Sequence, residues 1–157
     1  MKQAIPLSLN IRLQVLLAED DKDDRFFFNK AIQALPILTN LTIVEDGEQL
    51  MTYLIKNSEK LPDVLFLDLN MPRKNGLECL SEIKHSQTLK KVPVVVYSTS
   101  GYSDVSEDLF SKGAHYYFSK TDVGGMKVIL HHILNLILEN TFTKPTRGNF
   151  ILLTKEF

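Results

Sequence analysis

Four short stretches of the chain are apolar at almost every position, and longer stretches separate them. The apolar stretches are residues 15–18, 64–67, 94–97 and 116–118. Continuous apolar runs of this length are typical of strands buried on both faces, which occur in parallel sheets covered by helices. A fifth stretch, residues 41–44, alternates more between apolar and polar positions and therefore favours a strand at the edge of the sheet.

The intervening segments carry apolar residues at the three- and four-residue spacing of helices. They span residues 23–35, 48–56, 77–85, 104–112 and 125–138. A strand followed by a helix, repeated five times, predicts an open, doubly wound α/β fold with a parallel sheet. We expect an N-terminal extension over residues 1–12, one domain over 13–138 and a tail over 139–157. The apolar residues 150–153 of the tail either pack back on the domain or contact a partner.

Composition narrows the classes of function. The 157 residues include 19 acidic and 18 basic side chains, 44% hydrophobic residues and one cysteine, Cys79. A net charge of -1 removes the bulk electrostatic attraction that favours binding to nucleic acids and anionic membranes. One cysteine cannot form an internal disulfide, and no apolar run reaches the length of about 18 residues that indicates a membrane span. We therefore expect a cytoplasmic protein with neither nucleic acid nor membrane as a partner.

Charged and hydroxyl side chains cluster where the predicted strands end. Glu19 and Asp20 follow the first strand, Asp68 the third, Ser98 the fourth and Lys120 the fifth. The carboxyl ends of parallel strands share one edge of the sheet, and ligands of open α/β sheets bind there. Two carboxylates about 4 Å apart repel by roughly 4 kcal/mol at an effective dielectric near 20, so these acids need a compensating cation. Oxygen donors on a rigid edge suit Mg²⁺, and a lysine and a hydroxyl beside them are typical of phosphoryl chemistry.

Four motifs at these strand ends resemble those of one family. They are VLLAEDD at residues 15–21, LDLNMP at 67–72 with Asn75 and Gly76, PVVVYST at 93–99, and GAHYYFSK at 113–120. With the motifs in this order and spacing, the chain resembles the receiver domain of response regulators, the phosphoacceptor module of two-component signalling, over about four-fifths of its length. The resemblance implies a flavodoxin-like fold whose five-stranded parallel sheet has the order 2-1-3-4-5, with helices on both faces.

The resemblance also implies an acceptor and a metal site. Asp68 would be the acceptor, whose carboxylate attacks the phosphorus of a phosphohistidine and forms an aspartyl phosphate. Asp20 and Asp68 would bind Mg²⁺ through their side chains, Asn70 through its backbone carbonyl and Glu19 through a water molecule. Asn70 and Ser100 would flank the phosphoryl group and influence its lifetime. We expect slow self-dephosphorylation and no enzymatic turnover.

A phosphorylation switch follows from the same resemblance. Lys120 would pair with the phosphoryl oxygens, the Ser98 hydroxyl would be drawn inward to bind them, and Tyr117 would rotate into the vacated space. The output surface would then comprise the fourth helix, the fifth strand and the fifth helix. The expected partners are a sensor histidine kinase or a histidine phosphotransfer protein, a downstream protein target, and a second copy of the chain.

Some residues near the site admit more than one interpretation. Thr121 follows Lys120 where many receivers have a proline after a cis peptide bond, so the geometry of this loop stays open. The adjacent cations Arg73 and Lys74 reach either a partner or the phosphoryl site. Asp23 and Asp24 extend the acidic cluster, but carboxylates in the first turn of a helix also suit the positive end of its dipole, and we favour that interpretation.

Two rival functions use parts of the same residue set. A haloacid-dehalogenase-type phosphatase also has a strand-end aspartate and Mg²⁺, but it requires a second acid two residues later, where this chain has Asn70. A receiver that has lost its chemistry and acts as a scaffold would keep the fold, and the intact acids with Ser98 and Lys120 argue against it. The pair His131-His132 lies on the predicted last helix, and we interpret it as part of that helix's surface.

Overall fold

A computed structural model describes residues 11–99 and 102–157, with the side chains of residues 102–104 left out of the description. The five strands are β1 (Leu13–Ala18), β2 (Thr39–Val44), β3 (Val64–Asp68), β4 (Val94–Ser98) and β5 (Tyr116–Ser119). The five helices are α1 (Lys22–Gln33), α2 (Gly47–Lys56), α3 (Gly76–His85), α4 (Tyr102–Ser111) and α5 (Val123–Leu138). Strands and helices therefore alternate as the apolar pattern predicts.

All strand pairs in the sheet are parallel, and the order is β2-β1-β3-β4-β5. This confirms the predicted fold class and the edge position of β2. The register pairs Ala18 with Leu67 and Asp68 with Tyr97, so the acidic ends of β1 and β3 lie side by side. Parallel pairing thus brings stretches that are about 50 residues apart in the chain to one edge of the sheet.

The sheet is covered on both faces, and each face has its own apolar core. Helices α1 and α5 pack on one face, and α2, α3 and α4 pack on the other. Residues next to each other on a strand point to opposite faces, so Tyr117 belongs to one core and Phe118 to the other. Both side chains are fully buried. Strands β1, β3, β4 and β5 are almost continuous apolar runs because they are buried on both faces, whereas β2 is partly exposed.

The helices begin slightly earlier than their apolar pattern predicts, because polar capping residues precede the first apolar position. Asp21, Asp46, Asn75 and Asp122 each accept a hydrogen bond from a backbone N–H in the first turn of the helix that follows. At α3 the Asn75 N–H also donates to Glu78 Oε1 at 3.3 Å, which completes a capping box. These caps fix the loops that carry the acidic edge.

The C-terminal tail packs back on the domain, which settles one alternative left open by the sequence. The Tyr117 N–H donates to the Phe150 carbonyl at 3.0 Å, and the Leu152 N–H donates to the Tyr117 carbonyl at 2.9 Å. Phe150 is buried in the core beneath α4, and Leu152 in the core beneath α5. The tail therefore covers part of the β5 edge. Within residues 11–99 and 102–157, no helix has both the length and the apolar character needed to cross a membrane.

Candidate functional site

Three carboxylates meet at the carboxyl edge of the sheet. Glu19, Asp20 and Asp68 each place one oxygen so that all three oxygens lie within 4.8 Å of one another. Glu19 and Asp68 are 0% and 2% exposed, whereas Asp20 faces solvent. Several carboxylate oxygens around one point are the donor set of a hard divalent cation such as Mg²⁺ or Mn²⁺, so these residues fit the predicted metal.

The loop after β1 is held by a side chain from α1. Arg25 donates from one guanidinium nitrogen to the backbone carbonyls of Glu19 and Asp20, at 3.1 and 2.8 Å. The Asp21 N–H donates to Glu19 Oε1 at 3.0 Å. These hydrogen bonds fix the turn that presents the two acids toward Asp68.

Lys120 lies among the acids, as its position at the end of β5 predicts. Its Nζ is 2.8 Å from Glu19 Oε2, 2.8 Å from Asp24 Oδ2 and 3.4 Å from Asp68 Oδ1. The ammonium is therefore nearest to Glu19 and Asp24, and Asp68 is its most distant carboxylate of the three. Because the surroundings are largely buried, this single cation compensates repulsion that water would otherwise screen.

The electrostatic balance of the pocket shifts two pKa values upward. Burial, followed by the negative charge of Glu19, raises the pKa of Asp68 from 3.8 to about 7, although Lys120 acts to lower it. Burial acts to lower the pKa of Lys120, but its hydrogen bonds to Asp24 and Glu19 and the charge of Asp68 outweigh burial and raise that pKa. Without a metal ion, the pocket thus carries more negative charge than Lys120 neutralises.

A tyrosine from β4 completes the pocket from below. The Tyr97 hydroxyl donates to Glu19 Oε2 at 2.5 Å, and Lys120 Nζ lies 5.0 Å from the centroid of the Tyr97 ring. The ring is fully buried and stacks on Phe118. Burial and the charge of Glu19 raise the pKa of the phenol well above its usual range, so this hydroxyl keeps its proton.

The loop after Asp68 depends on a close backbone approach at Gly76. A Cβ atom on Gly76 would lie 2.2 Å from the Asp68 carbonyl oxygen, so a side chain there would displace the acceptor backbone. The Gly76 N–H donates to the Leu69 carbonyl at 2.9 Å, and the Asn70 N–H contacts Asp68 Oδ1 at 3.4 Å. The Asn75-Gly76 motif therefore packs against the backbone of Asp68 and fixes its position.

The cations of this loop contact acids of their own chain. Arg73 Nε lies 3.4 Å from Asp46 Oδ2, and Lys74 pairs with Glu82 of α3. Arg73 also has a φ of 68°, which is uncommon for a residue with a side chain. Neither acid belongs to the pocket. The structure therefore does not decide whether Arg73 and Lys74 reach a partner protein or the phosphoryl site.

The remaining predicted residues occupy the expected strands. Ser98 ends β4 and is fully buried, and its carbonyl accepts a hydrogen bond from the Lys120 N–H at 2.9 Å. Tyr117 is fully buried in β5. The peptide bond between Lys120 and Thr121 is trans, as no bond in the described part of the chain is cis. Ser100 lies outside the described residues.

Two residues of the pocket were missed by sequence analysis. Asp24 does lie in the first turn of α1, as predicted, but it also pairs with Lys120, so the dipole interpretation was incomplete. The sequence feature that could have indicated this contact is the position of Asp24 in the first turn of a helix that begins directly after Glu19 and Asp20. Tyr97 was interpreted only as part of an apolar strand. Its signal was the hydroxyl, because a buried tyrosine usually has a hydrogen-bond partner.

Comparison with known proteins identifies relatives of this chain. The model of the response regulator receiver domain matches residues 15–130. Response regulator Rcp1 of Synechocystis sp. is 38% identical over 94 residues, which span 57% of this chain and 64% of Rcp1. The probable methanogenesis regulatory protein FilR2 of Methanothrix harundinacea is 31% identical over 109 residues, which span 68% of this chain and 70% of FilR2.

Solved structures agree with these relationships. The crystal structure of the Mn²⁺-bound form of Rcp1 has a TM-score of 0.72 and 32% identity, and the match covers 85% of this chain and 99% of that one. The structure of the phosphorylated cyanobacterial phytochrome response regulator RcpA has a TM-score of 0.75 and 31% identity, covering 87% and 100% of the two chains. With its sheet order, its acidic edge and these matches, the chain belongs to the response regulator receiver domain family of two-component signalling.

Proposed function

We propose that this chain is a phosphoacceptor that is phosphorylated on Asp68 by a histidine kinase or a histidine phosphotransfer protein and signals by binding another protein. The observation that carries the proposal is the environment of Asp68. Its carboxylate is 2% exposed, shares a 4.8 Å cluster of oxygens with Glu19 and Asp20, and has an ammonium 3.4 Å away. A carboxylate buried beside two other acids is unfavourable unless cations compensate its charge. Acids in such surroundings are typical of functional sites.

The proposed step is an exchange of one bond for another at phosphorus. One Asp68 carboxylate oxygen attacks the phosphorus of a phosphohistidine, a P–O bond forms, and the P–N bond breaks. The electron pair of that bond stays on the imidazole, which takes up a proton. Lys120 then faces the new phosphoryl oxygens, and its charge stabilises them. Asp68 must be deprotonated to attack, and its raised pKa makes a nearby cation important for this.

We propose Mg²⁺ as the metal of this site. Asp20 and Asp68 would bind it through their side chains, Asn70 through its carbonyl and Glu19 through water. A bound divalent cation would supply positive charge that favours the carboxylate form of Asp68 and neutralises the incoming phosphoryl group. The relative Rcp1 has a Mn²⁺-bound form, which supports the binding of a divalent cation by this chain.

The output proposal rests on where Ser98 and Tyr117 lie. They stand on the adjacent strands β4 and β5, and Tyr117 is buried beneath the face formed by α4 and β5. Movement of Ser98 toward a phosphoryl group would therefore be transmitted to α4, β5 and α5. The proposed receiver unit spans residues 13–138, and the tail over 139–157 would contribute to its output surface because it covers the β5 edge. We expect a cytoplasmic protein that binds its target or a second copy there.

Phosphorylation by a small donor tests the proposal directly. The wild-type chain would be incubated with acetyl phosphate and Mg²⁺, and the acyl phosphate would be reduced with borohydride and located by mass spectrometry. We expect modification at Asp68, none in Asp68→Asn, and wild-type modification in Asp63→Asn, which changes an acid that instead accepts from the Gln14 N–H. Unmodified wild-type protein with acetyl phosphate and with kinase donors would overturn the proposal. Steady turnover of small phosphate esters would instead favour a phosphatase.

A further inference from the structure

Tyr97 is the one side chain, among the contacts described for the pocket, that reaches both Glu19 and Lys120 without carrying a charge. Its hydroxyl donates to Glu19, and its ring face lies against the Lys120 ammonium. The ring is held on its other sides by Phe28 and Phe118, with centroids 6.0 and 5.6 Å away. The position of the hydroxyl is therefore set by packing within the aromatic core beneath the pocket.

Glu19 is fully buried, and among the contacts described for the pocket three donors reach its carboxylate. Its Oε1 accepts from the Asp21 N–H at 3.0 Å, and its Oε2 accepts from the Tyr97 hydroxyl and from Lys120 Nζ, at 2.5 and 2.8 Å. Of the two donors on Oε2, Lys120 is shared with Asp24 and Asp68, whereas the Tyr97 hydroxyl has Glu19 as its acceptor. The two donors therefore differ in how easily they can be drawn to another acceptor.

We propose that Tyr97 is a positioning residue that keeps Glu19 hydrogen-bonded when Lys120 turns toward a phosphoryl group on Asp68. The inference rests on the proposed function, because it concerns the phosphorylated state of the same pocket. Lys120 Nζ can turn to new oxygens at Asp68, since it already lies 3.4 Å from that carboxylate. Oε2 of Glu19 then retains the Tyr97 hydroxyl as its protein donor.

The hydroxyl therefore matters more after phosphorylation than before it. In the unphosphorylated protein, removing the hydroxyl leaves Lys120 as a donor to Oε2, so one of two hydrogen bonds is lost. In the phosphorylated protein, removing it leaves a fully buried carboxylate oxygen without a protein donor. A buried carboxylate oxygen that has lost both of its protein donors is less well stabilised than one that has lost one of two, even where a metal-bound water still donates to the carboxylate. Loss of the hydroxyl thus weakens the binding of a phosphoryl group selectively.

The test compares Tyr97→Phe with Tyr116→Phe. Both substitutions remove a phenol hydroxyl and keep the ring, but Tyr116 lies at the opposite end of β5 from Lys120. Each variant would be titrated with beryllium fluoride, an analogue of the phosphoryl group, at saturating Mg²⁺, and its melting temperature would be measured without the analogue. We expect about tenfold weaker binding of beryllium fluoride by Tyr97→Phe, wild-type binding by Tyr116→Phe, and a smaller relative effect on the stability of unliganded Tyr97→Phe.

Two measurements separate a positioning role from general damage. In a Glu19→Gln background, the acceptor is neutral, so the additional effect of Tyr97→Phe on binding is expected to shrink to about threefold or less. In the wild-type chain, the ζ-carbon resonance of Tyr97 in ¹³C-tyrosine NMR, assigned by its change in Glu19→Gln, is expected to keep its hydrogen-bonded shift when beryllium fluoride is added. This second measurement applies even if Tyr97→Phe does not fold.

Equal beryllium fluoride affinity in Tyr97→Phe and wild type overturns the assignment and leaves the proposed function intact. A ζ-carbon shift that reports loss of the hydrogen bond on addition of beryllium fluoride overturns it as well. If the wild-type chain binds no beryllium fluoride and accepts no phosphate from acetyl phosphate, the proposed function fails and this inference fails with it.

Discussion

The two ends of the parallel sheet both contain charged groups removed from water, but they stabilise them differently. At the carboxyl end, Lys120 lies among the carboxylates of Glu19, Asp24 and Asp68. At the amino end, Lys84 donates to the backbone carbonyls of Lys90 and Val92, at 3.1 and 2.7 Å. One lysine is thus surrounded by side-chain ions and the other by main-chain dipoles.

The difference also appears in the pKa values. Burial lowers the pKa of Lys84 to about 8, and burial with the charges of Lys84 and Lys144 lowers that of His115 to about 4. At the carboxyl end, by contrast, the pKa of Lys120 is raised. Ionic partners on side chains can be exchanged for a metal or a phosphoryl group, whereas carbonyls of the main chain are fixed in the fold. A buried charge therefore indicates function only when its partners are themselves replaceable.

The largest expected effect on stability is that of replacing Lys120, and the same replacement of Lys84 provides the comparison. Lys120→Met leaves the buried acids Glu19 and Asp68 without their cation and should lower the free energy of unfolding by about 3 to 5 kcal/mol. Lys84→Met removes hydrogen bonds to two neutral carbonyls and should lower it by about 1 kcal/mol. Urea denaturation of both variants, with a chelator present, measures the difference.

Magnesium provides the matched control for that comparison. Added Mg²⁺ should stabilise Lys120→Met more than Lys84→Met, because in Lys120→Met the divalent cation also replaces the missing positive charge, whereas Lys84→Met keeps the wild-type acidic site and should gain only what the wild-type chain gains. Similar losses in the two variants, or equal effects of Mg²⁺ on both, would contradict the distinction between the two ends.

The carboxyl end should also make the metal-free protein less stable as pH rises. Asp68 has a pKa near 3.8 when unfolded and about 7 when folded, so the folded state binds more protons across that interval and stability falls through it. Asp68→Asn removes this dependence and should raise the free energy of unfolding at pH 8 by about 2 to 4 kcal/mol. Chemical denaturation of both proteins in chelator, from pH 5 to pH 8, measures it. A parallel slope in the two proteins would rule out Asp68 as the source.

The amino end should respond to pH in the opposite direction. The pKa of His115 is 6.5 when unfolded and about 4 when folded, so the unfolded state binds more protons and stability falls as pH decreases from 6.5 to 4. His115→Gln should remove on the order of 2 kcal/mol of that loss, while its amide oxygen can still accept from the Val94 N–H, as His115 Nδ1 does. Denaturation at pH 4.5 and pH 7 checks this, and an unchanged acid slope in the variant would contradict it.

The fold and the acidic edge could be predicted from sequence because both follow from local patterns. The apolar runs identify buried parallel strands, and parallel strands bring Glu19, Asp68 and Lys120 to one edge whatever the details of packing. The contacts of Asp24, Tyr97 and the tail could not be predicted in this way. Each depends on a long-range approach, such as that of Tyr97 to Glu19, 78 residues earlier in the chain.

The tail shows where local patterns become insufficient. The apolar residues near Phe150 are compatible with any apolar surface, and sequence does not say which one they meet. Only their position beside β5 explains the pattern: Ile151 pairs with Tyr117, and Phe150 and Leu152 enter opposite cores. The free edge of β5 supplies the hydrogen-bonding groups that select this position.

The smallest expected effect concerns Arg73, an exposed cation beside the buried pocket. Arg73 lies in the acceptor loop, but its side chain is 65% exposed and meets Asp46 at 3.4 Å. Water screens such a pair, so Arg73→Ala should change the free energy of unfolding by less than about 0.5 kcal/mol and leave phosphorylation of Asp68 by acetyl phosphate near the wild-type rate. The backbone conformation is equally unfavourable for alanine, so the substitution isolates the side chain. A severalfold change in the phosphorylation rate would mean that Arg73 reaches the phosphoryl group, and that the replaceable ionic partners of the carboxyl end extend beyond the buried pocket.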